Sequence, residues 1–445
     1  MMRSITEFGA IGDGHTLCTA NVQRAIDVVA SSGGGTVLVP AGRYVIGTVE
    51  LKSHVHLLLG PGAVLLASTD PAHYGEARAM VLAQKAHDVS ITGTGIIDGQ
   101  SKSFMKGDLK YIYEPKDFRP RLVLLIDCRQ VTIRDIVLQD SPQWTVHLSG
   151  CEDVLIHGIR ILNDLKVPNC DGIDPDHCRN VRISDCYIEA ADDCIVIKNT
   201  KEYMDRGPTE NIVVSNCTLK STSAAVKIGT ESVDDFRHIV IRGCTIRGSS
   251  RGITIQVRDQ GVIEDVIISD CTVETRLFES HFWGQAEVIH ISALRRYSRE
   301  ASGEAPWWNK DNKVAQVRRV HISNVLARGE NGVVILGSPG DDNVRDITLD
   351  NVRVHVEKTS KWEGGKLDKR PVDKLGPKFR DPSQDPGLTP HDIHGVYVEH
   401  ARAVSLRNMH VTWGEKRPAY FAKAFASKDA PGLQQINCSG EDARH

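Results

Sequence analysis

Short runs of alternating apolar and polar residues recur through most of this 445-residue chain. Quoted in order they are "CRQVTIRDIVL" (128–138), "CEDVLIHGIRI" (151–161), "CRNVRISDCYI" (178–188), "TENIVVSNCTL" (209–219) and "FRHIVIRGCTI" (236–246), then "IEDVIISDCTV" (263–273), "VRRVHISNVLA" (317–327), "VRDITLDNVRV" (344–354) and "ARAVSLRNMHV" (401–411). An aligned valine or isoleucine falls at 131, 154, 181, 212, 239, 266, 320, 347 and 404, in steps of 23, 27, 31, 27, 27, 54, 27 and 57. The steps of 54 and 57 read as two periods each, the first with one signature obscured and the second holding a polar stretch, 357–391. Between the aligned motifs lie second short strands such as "WTVHLSG", "CIVIKN", "AAVKIGT", "GITIQV" and "GVYVEH".

Apolar alternation in runs of four to six, broken by polar turns, predicts strands. A period near 27 residues is too short for a βαβ unit, and no helical spacing separates the strands. A propeller blade needs about 40–50 residues. What remains is a coil of three short strands stacked on the next by parallel pairing: an all-β, single-domain right-handed parallel β-helix over residues 1–445, of about 10 coils. One segment, "CTANVQRAIDVVASSGGG" (18–35), has helical spacing, with Val22, Ala25, Ile26 and Val29 on one face. It is expected to cap the open N-terminal end. The segment after 412 is expected to close the other end.

Composition narrows the function classes. The chain is 40% hydrophobic and 25% charged with a net charge of −3, which gives no basis for nucleic acid or an anionic membrane as partner. No run reaches the roughly 18–20 apolar residues of a membrane span. The start, "MMRSITEFGAIGDG", has no apolar core of a secretory signal, so the expected location is cytoplasmic, or periplasmic or secreted if a leader has been trimmed. Eleven cysteines, an odd number with no CxxC, sit mostly inside apolar strands and read as buried free thiols.

The chemistry concentrates in "NCDGID" (169–174) and "EAADDCIVIKN" (189–199). Residues one coil apart in a parallel stack lie about 4.8 Å apart. Aligning the two segments puts Asp171 beside Asp193, with Asp192 one step along at the turn. Three carboxylates that close repel by several kcal/mol unless a cation or a proton relieves them. Such a cluster is a metal site or an acid/base set; a lone turn-capping Asp is the bland alternative. Continued onward, the ladder runs from Asp193 to Ala224, Arg251 and Glu287, with Lys198, Lys227, Arg258 and His290 at neighbouring outward positions. An acidic centre flanked by cations suits a polyhydroxylated anionic ligand such as a uronate sugar.

These segments resemble glycoside hydrolase family 28, the polygalacturonases and their relatives, which read N-T-D and then G-D-D-C-I-A-I-K. "FGAIGDG", "NVQRAID", "GTGIIDGQ", "RPRLVLLIDC" and "SPQWTVHLSGC" agree as well, and the resemblance covers roughly residues 7–350. It implies an inverting hydrolysis without metal or organic cofactor. Asp192 would be the general acid, and Asp171 and Asp193 would activate the attacking water, with acid and base typically about 6.5–9.5 Å apart. Two family motifs are missing. G-H-G falls at Ser223-Ala224-Ala225, and R-I-K, which holds the galacturonate carboxylate, falls at Thr254-Ile255-Gln256. The departures suggest a divergent, mainly bacterial branch.

Lys227, Arg251 and Arg258 are then the candidates to replace the lost cations, with Lys198, Glu231, Glu287 and His290 as further substrate contacts. Trp283, Trp307 and Trp308 are candidate sugar-stacking rings, while Trp144 in "SPQW" reads as structural. Insertions at 99–118, 295–312 and 357–391 could wall one end of a groove, which fits end-on hydrolysis of a pectic or related oligosaccharide. Two rival readings stay open: a polysaccharide lyase using Ca²⁺ held by the aspartates, and a non-catalytic carbohydrate-binding β-helix. Oligomeric state has no signature in this chain.

Overall fold

A computed structural model describes residues 1–279, 284–294, 309, 311, 313–369 and 388–444. The chain divides into two compact units, residues 1–195 with 212–217, and 196–211 with 218–445. Both are built from short parallel strands, and the fold class is the parallel β-helix expected from the repeat.

In the first unit one face stacks Val55–Leu59, His87–Gly93, Arg129–Arg134, Glu152–His157 and Arg179–Ser184 in parallel. Val89, Val131, Val154 and Val181 are in register along it. A second face stacks Val49–Leu51, Ala79–Gln84, Arg121–Ile126, Val146–Ser149 and Ile173–Asp176. A third runs from Ala63–Ala67 through Ile96–Asp98, Val137–Gln139 and Arg160–Leu162 to Tyr187–Ala190. In the second unit the corresponding stacks are Phe236–Arg242, Val262–Thr275, Gln316–Gly329, Val344–Val356 and Arg402–Arg407 on one side. The other side carries Ala224–Ser232, Arg251–Val257, Ile289–Ala293, Val333–Leu336, Val396–Glu399 and Phe425–Lys428.

The aligned valine and isoleucine positions are all buried, because each is the inward residue of its coil. Two turn positions frame them. The residue before each aligned position (Gln130, Asp153, Asn180, Asn211, His238, Asp265, Arg319, Asp346, Ala403) has φ between 52 and 59°. The residue four after it (Asp135, Gly158, Asp185, Asn216, Gly243, Asp270, Asn324, Asn351, Asn408) has φ between 50 and 66°. Left-handed backbone costs an ordinary residue about 1–2 kcal/mol, and Asn, Asp and Gly bear it best. That cost explains the composition of the second position, where only those three types occur.

The two long steps are corrected by the register. Val266 pairs directly with Val320, and Ile347 directly with Val404. Each step is therefore one coil with an insertion, not two coils with a lost signature. A parallel ladder fixes only the strands; the loop between them can lengthen without disturbing the pairing.

The helix Thr19–Ser31 buries Val22, Ala25, Ile26 and Val29, as expected. It also satisfies an edge. The Gln23 side chain accepts from the Glu50 amide (2.7 Å) and donates to the Glu50 carbonyl (3.1 Å), standing in for a neighbouring strand. At the other end Phe425–Lys428 and Gln434–Ile436 add a further parallel layer, and Trp413 Nε1 donates to the Glu441 carbonyl (2.8 Å). All eleven cysteines are free, and ten are buried. Among the described residues no helix is long and apolar enough to cross a membrane.

Candidate functional site

The strand Ile173–Asp176 and the turn before Ile195–Asn199 bring the acidic residues together. The Gly172 and Ile173 amides donate to the Asp193 and Cys194 carbonyls, both at 2.9 Å, which sets Asp171 opposite Asp193. Close approach is possible because residue 172 has no side chain. A Cβ there would sit 2.3 Å from the Cys194 carbonyl oxygen and 2.8 Å from Ile188 Cγ2. A second tie comes from Cys170, whose sulfur accepts from the Ala191 amide at 3.2 Å. Burial pushes that thiol up, so it stays a neutral packing group.

One carboxylate oxygen from each of Asp171, Asp192 and Asp193 lies within 4.8 Å of the others. Asp171 and Asp193 are 2% and 1% exposed, whereas Asp192 is half-buried and meets the outside. The Asp193 amide donates to Asp192 Oδ1 (3.0 Å), which engages one oxygen of the outer acid and leaves the other to its neighbours. Asn169 Nδ2 approaches Asp192 Oδ2 at 3.5 Å. Such a set can hold one proton among three acids, and its oxygens would also suit a hard cation.

Several polar residues around this centre were not singled out by sequence. Arg119 donates to the Pro168 and Pro142 carbonyls (2.6 and 3.1 Å) and to Asn169 Oδ1 (3.0 Å). Its only sequence signal is its place in "RPRLVLLIDC". His147, in register with Asp174, lies with Nε2 3.2 Å from Asp176 Oδ2; all three are buried. Trp144 packs edge-on to His147, with ring centroids 4.7 Å apart, and lies under the Arg121 guanidinium, in keeping with a structural role.

The second unit holds most of the residues proposed to read the substrate. Lys198, Lys227, Arg251 and Arg258 are buried rather than solvated. Lys198 Nζ lies 3.3 Å from Glu231 Oε2. Lys227 is in register with Thr254, and Thr254 with His290. Arg258 donates to the Leu294 carbonyl (3.4 Å).

Arg251, Glu287 and His290 form one buried cluster with a residue that sequence reading missed, Asp368. Arg251 donates twice to Glu287 (3.0 and 3.1 Å) and once to Asp368 Oδ2 (2.8 Å). His290 Nδ1 lies 3.4 Å from Glu287 Oε1. Burial alone would raise the Glu287 carboxyl, but Arg251 and His290 hold it well below the usual carboxylate range. Burial and the Arg251 charge push His290 down to about 4, so its imidazole is neutral. Arg251 therefore already faces two carboxylates of its own protein. Trp283, Trp307 and Trp308, with most of the 295–312 insertion, lie outside the described residues.

Comparison with known proteins agrees with this geometry. The family model "Glycosyl hydrolases family 28" matches residues 31–275, which include all three aspartates. A probable polygalacturonase of Vitis vinifera is 38% identical over 257 residues, 51% of this chain and 51% of that protein. This chain spans about half the length of the curated relatives it matches. Among solved structures, the exopolygalacturonase of Thermotoga maritima aligns with a TM-score of 0.69 at 25% identity, over 80% of this chain and 87% of its own. The family 28 exopolygalacturonase of Yersinia enterocolitica, 16% identical, shares the fold with a TM-score of 0.63 over 97% and 78% of the two chains. The matched region is more than half of the chain and carries the acidic centre in place: this protein belongs to glycosyl hydrolases family 28.

Proposed function

We propose that the chain is a glycosidase that hydrolyses a pectic or related uronate-containing oligosaccharide, from the chain end and with inversion. The observation that carries this reading is the convergence of Asp171, Asp192 and Asp193 within 4.8 Å, two acids buried and one half-exposed. Asp192, nearest the outside, protonates the glycosidic oxygen as the bond breaks. Asp171 and Asp193 share the work of taking a proton from water, which attacks the anomeric carbon. Their mutual repulsion raises the basicity of the pair, as two crowded carboxylates cannot both ionise freely. End-on action is supported by the exopolygalacturonases among the similar proteins. The free, buried cysteines favour a reducing compartment as the place of work.

Stereochemistry is the direct test. Incubating the enzyme with a panel of pectic oligosaccharides, and following the first-formed anomer by NMR, separates inversion from retention. An inverted product with release of single terminal sugars is expected. A retained configuration would overturn the mechanism, and an unsaturated uronate absorbing in the ultraviolet would overturn hydrolysis itself.

Chelation is a further discriminator. Hydrolysis by three carboxylates is expected to survive EDTA unchanged, whereas a Ca²⁺-dependent lyase would lose its activity. Asp192→Asn is expected to lower kcat by about 10²–10⁴-fold, the usual worth of a general acid. Binding that persists with no activity to lose in the wild type would point instead to a carbohydrate-binding β-helix.

A further inference from the structure

The insertion 99–118 leads into Arg119, and several of its contacts reach one segment, 164–169. Lys102 pairs with Asp164 (3.4 Å), Lys166 with Asp108, and the Tyr113 amide donates to the Lys166 carbonyl (2.8 Å). Phe104, Met105 and Ile112 are buried and root the insertion. The segment 164–169 is thus gripped along its length just before it enters Asp171. Arg119 closes the grip. One guanidinium nitrogen bridges the Pro142 and Pro168 carbonyls, and the other holds Asn169 Oδ1. Asn169, itself in left-handed backbone at φ 57°, then turns its amide nitrogen toward Asp192.

We infer that Arg119 is a positioning residue for the reaction: through Asn169 it fixes where the Asp192 carboxyl points, and the 99–118 insertion is the brace that holds Arg119 in place. The inference rests on the reading of Asp192 as the general acid. A guanidinium is needed because three acceptors in two directions must be served by one rigid fork, which a lysine ammonium cannot match. The Asn169 amide is oriented by the same bond. With its oxygen committed to Arg119, its nitrogen is the end left to face Asp192. Loss of this constraint lets the acid drift from the leaving-group oxygen, and a displacement of about 1 Å can cost about 10²-fold in rate.

The test compares Arg119→Lys, Arg119→Ala, Asn169→Ala and Arg119→Ala/Asn169→Ala with the wild type, using the full chain and the oligosaccharide turned over best. A fall in kcat of about 10–100-fold with KM within about twofold is expected for each. The double variant should be no slower than the slower single one, since both act through one hydrogen-bonded chain. The alkaline limb of the pH–kcat/KM profile should move upward in Arg119→Ala, because a cation near the acid is removed, and should move least in Arg119→Lys. Unchanged kcat with a lowered Tm would show a merely structural role and overturn the inference, as would additive losses. If Asp192→Asn keeps its activity, the underlying reading of the site fails instead. If Asp192→Asn is inactive and the Arg119 variants are normal, only the role of Arg119 falls.

Discussion

Asp171 and Asp193 face each other across the turns that enter neighbouring parallel strands, 22 positions apart in sequence, and Gly172 is what lets the two turns meet there. A methyl group at 172 would press on a backbone carbonyl and on Ile188, neither of which can swing aside. Gly172→Ala is therefore expected to destabilise the protein by about 2–3 kcal/mol. It should also lower kcat at least tenfold in the fraction that stays folded, because the two carboxylates are forced apart. Urea unfolding together with kcat per folded molecule measures both. A stable variant with normal kcat would mean that the rung tolerates more separation than the contact distances allow.

Buried His290 makes stability depend on pH in a defined window. Its folded pKa is about 4, against about 6.5 for a free imidazole. As pH falls below 6.5 the unfolded chain takes up the proton first, so stability declines from pH 6.5 down to about 4 and then levels off for this group. Glu287 acts in the same direction but in a lower window. Its folded pKa is depressed, so its contribution is intact above the ordinary carboxylate range and is lost only below it. Between pH 7 and 5 the histidine effect stands alone within the cluster. A loss of about 2 kcal/mol is expected there, and it should shrink in His290→Gln. Urea midpoints at the two pH values check it; equal slopes in both proteins would contradict the assignment.

Much of this was legible in the sequence, for a physical reason. Val131, Val154 and Val181 mark the coils because an inward position must be apolar every time round, and Asp171 with Asp193 could be aligned because ladder spacing converts sequence offset into distance. The 54- and 57-residue steps were misread as double coils because apolar period reports strands, not the length of the loop between them. Arg119 was missed because two of its three acceptors are the carbonyls of Pro142 and Pro168, and a carbonyl leaves no mark on sequence. Asp368 sits in an insertion outside the repeat, so no register predicted its meeting with Arg251.

The turn positions suggest a stabilising change. Ala403 occupies the left-handed site before an aligned valine, at φ 52°, where Asp153, Asn180, Asn211, Asp265 and Asp346 stand in other repeats. It is exposed, and its amide donates to the Pro431 carbonyl (3.0 Å), so a longer side chain there disturbs no packing. Ala403→Asn is expected to raise stability by about 0.5–1 kcal/mol, because Asn tolerates this backbone better than Ala. A higher urea midpoint with an unchanged slope is the expected record, and a lower midpoint would show that the site relaxes with alanine.

The antiparallel pair Lys366–Asp368 with Leu388–Pro390 is tied to its unit by Leu367, Asp368 and Lys369, the last 2.7 Å from Glu399. Leu367 joins an apolar cluster with Val334, Leu336 and Tyr397, and Asp368 meets Arg251. Asp368→Asn keeps the shape but removes one of the two carboxylates paired with Arg251, and is expected to cost about 2–3 kcal/mol. Arg251→Met should cost more, about 4 kcal/mol or above, since it takes one cation from two buried carboxylates at once. That ranking follows from counting charges, and it separates a structural cluster from a substrate site. If Arg251 is held only weakly by these carboxylates and serves chiefly a uronate, Arg251→Met should leave Tm of the free protein near that of the wild type while KM climbs. If the cluster is a brace for the antiparallel pair, Tm should fall in the order wild type, Asp368→Asn, Arg251→Met. Thermal melts of the three free proteins decide between these outcomes.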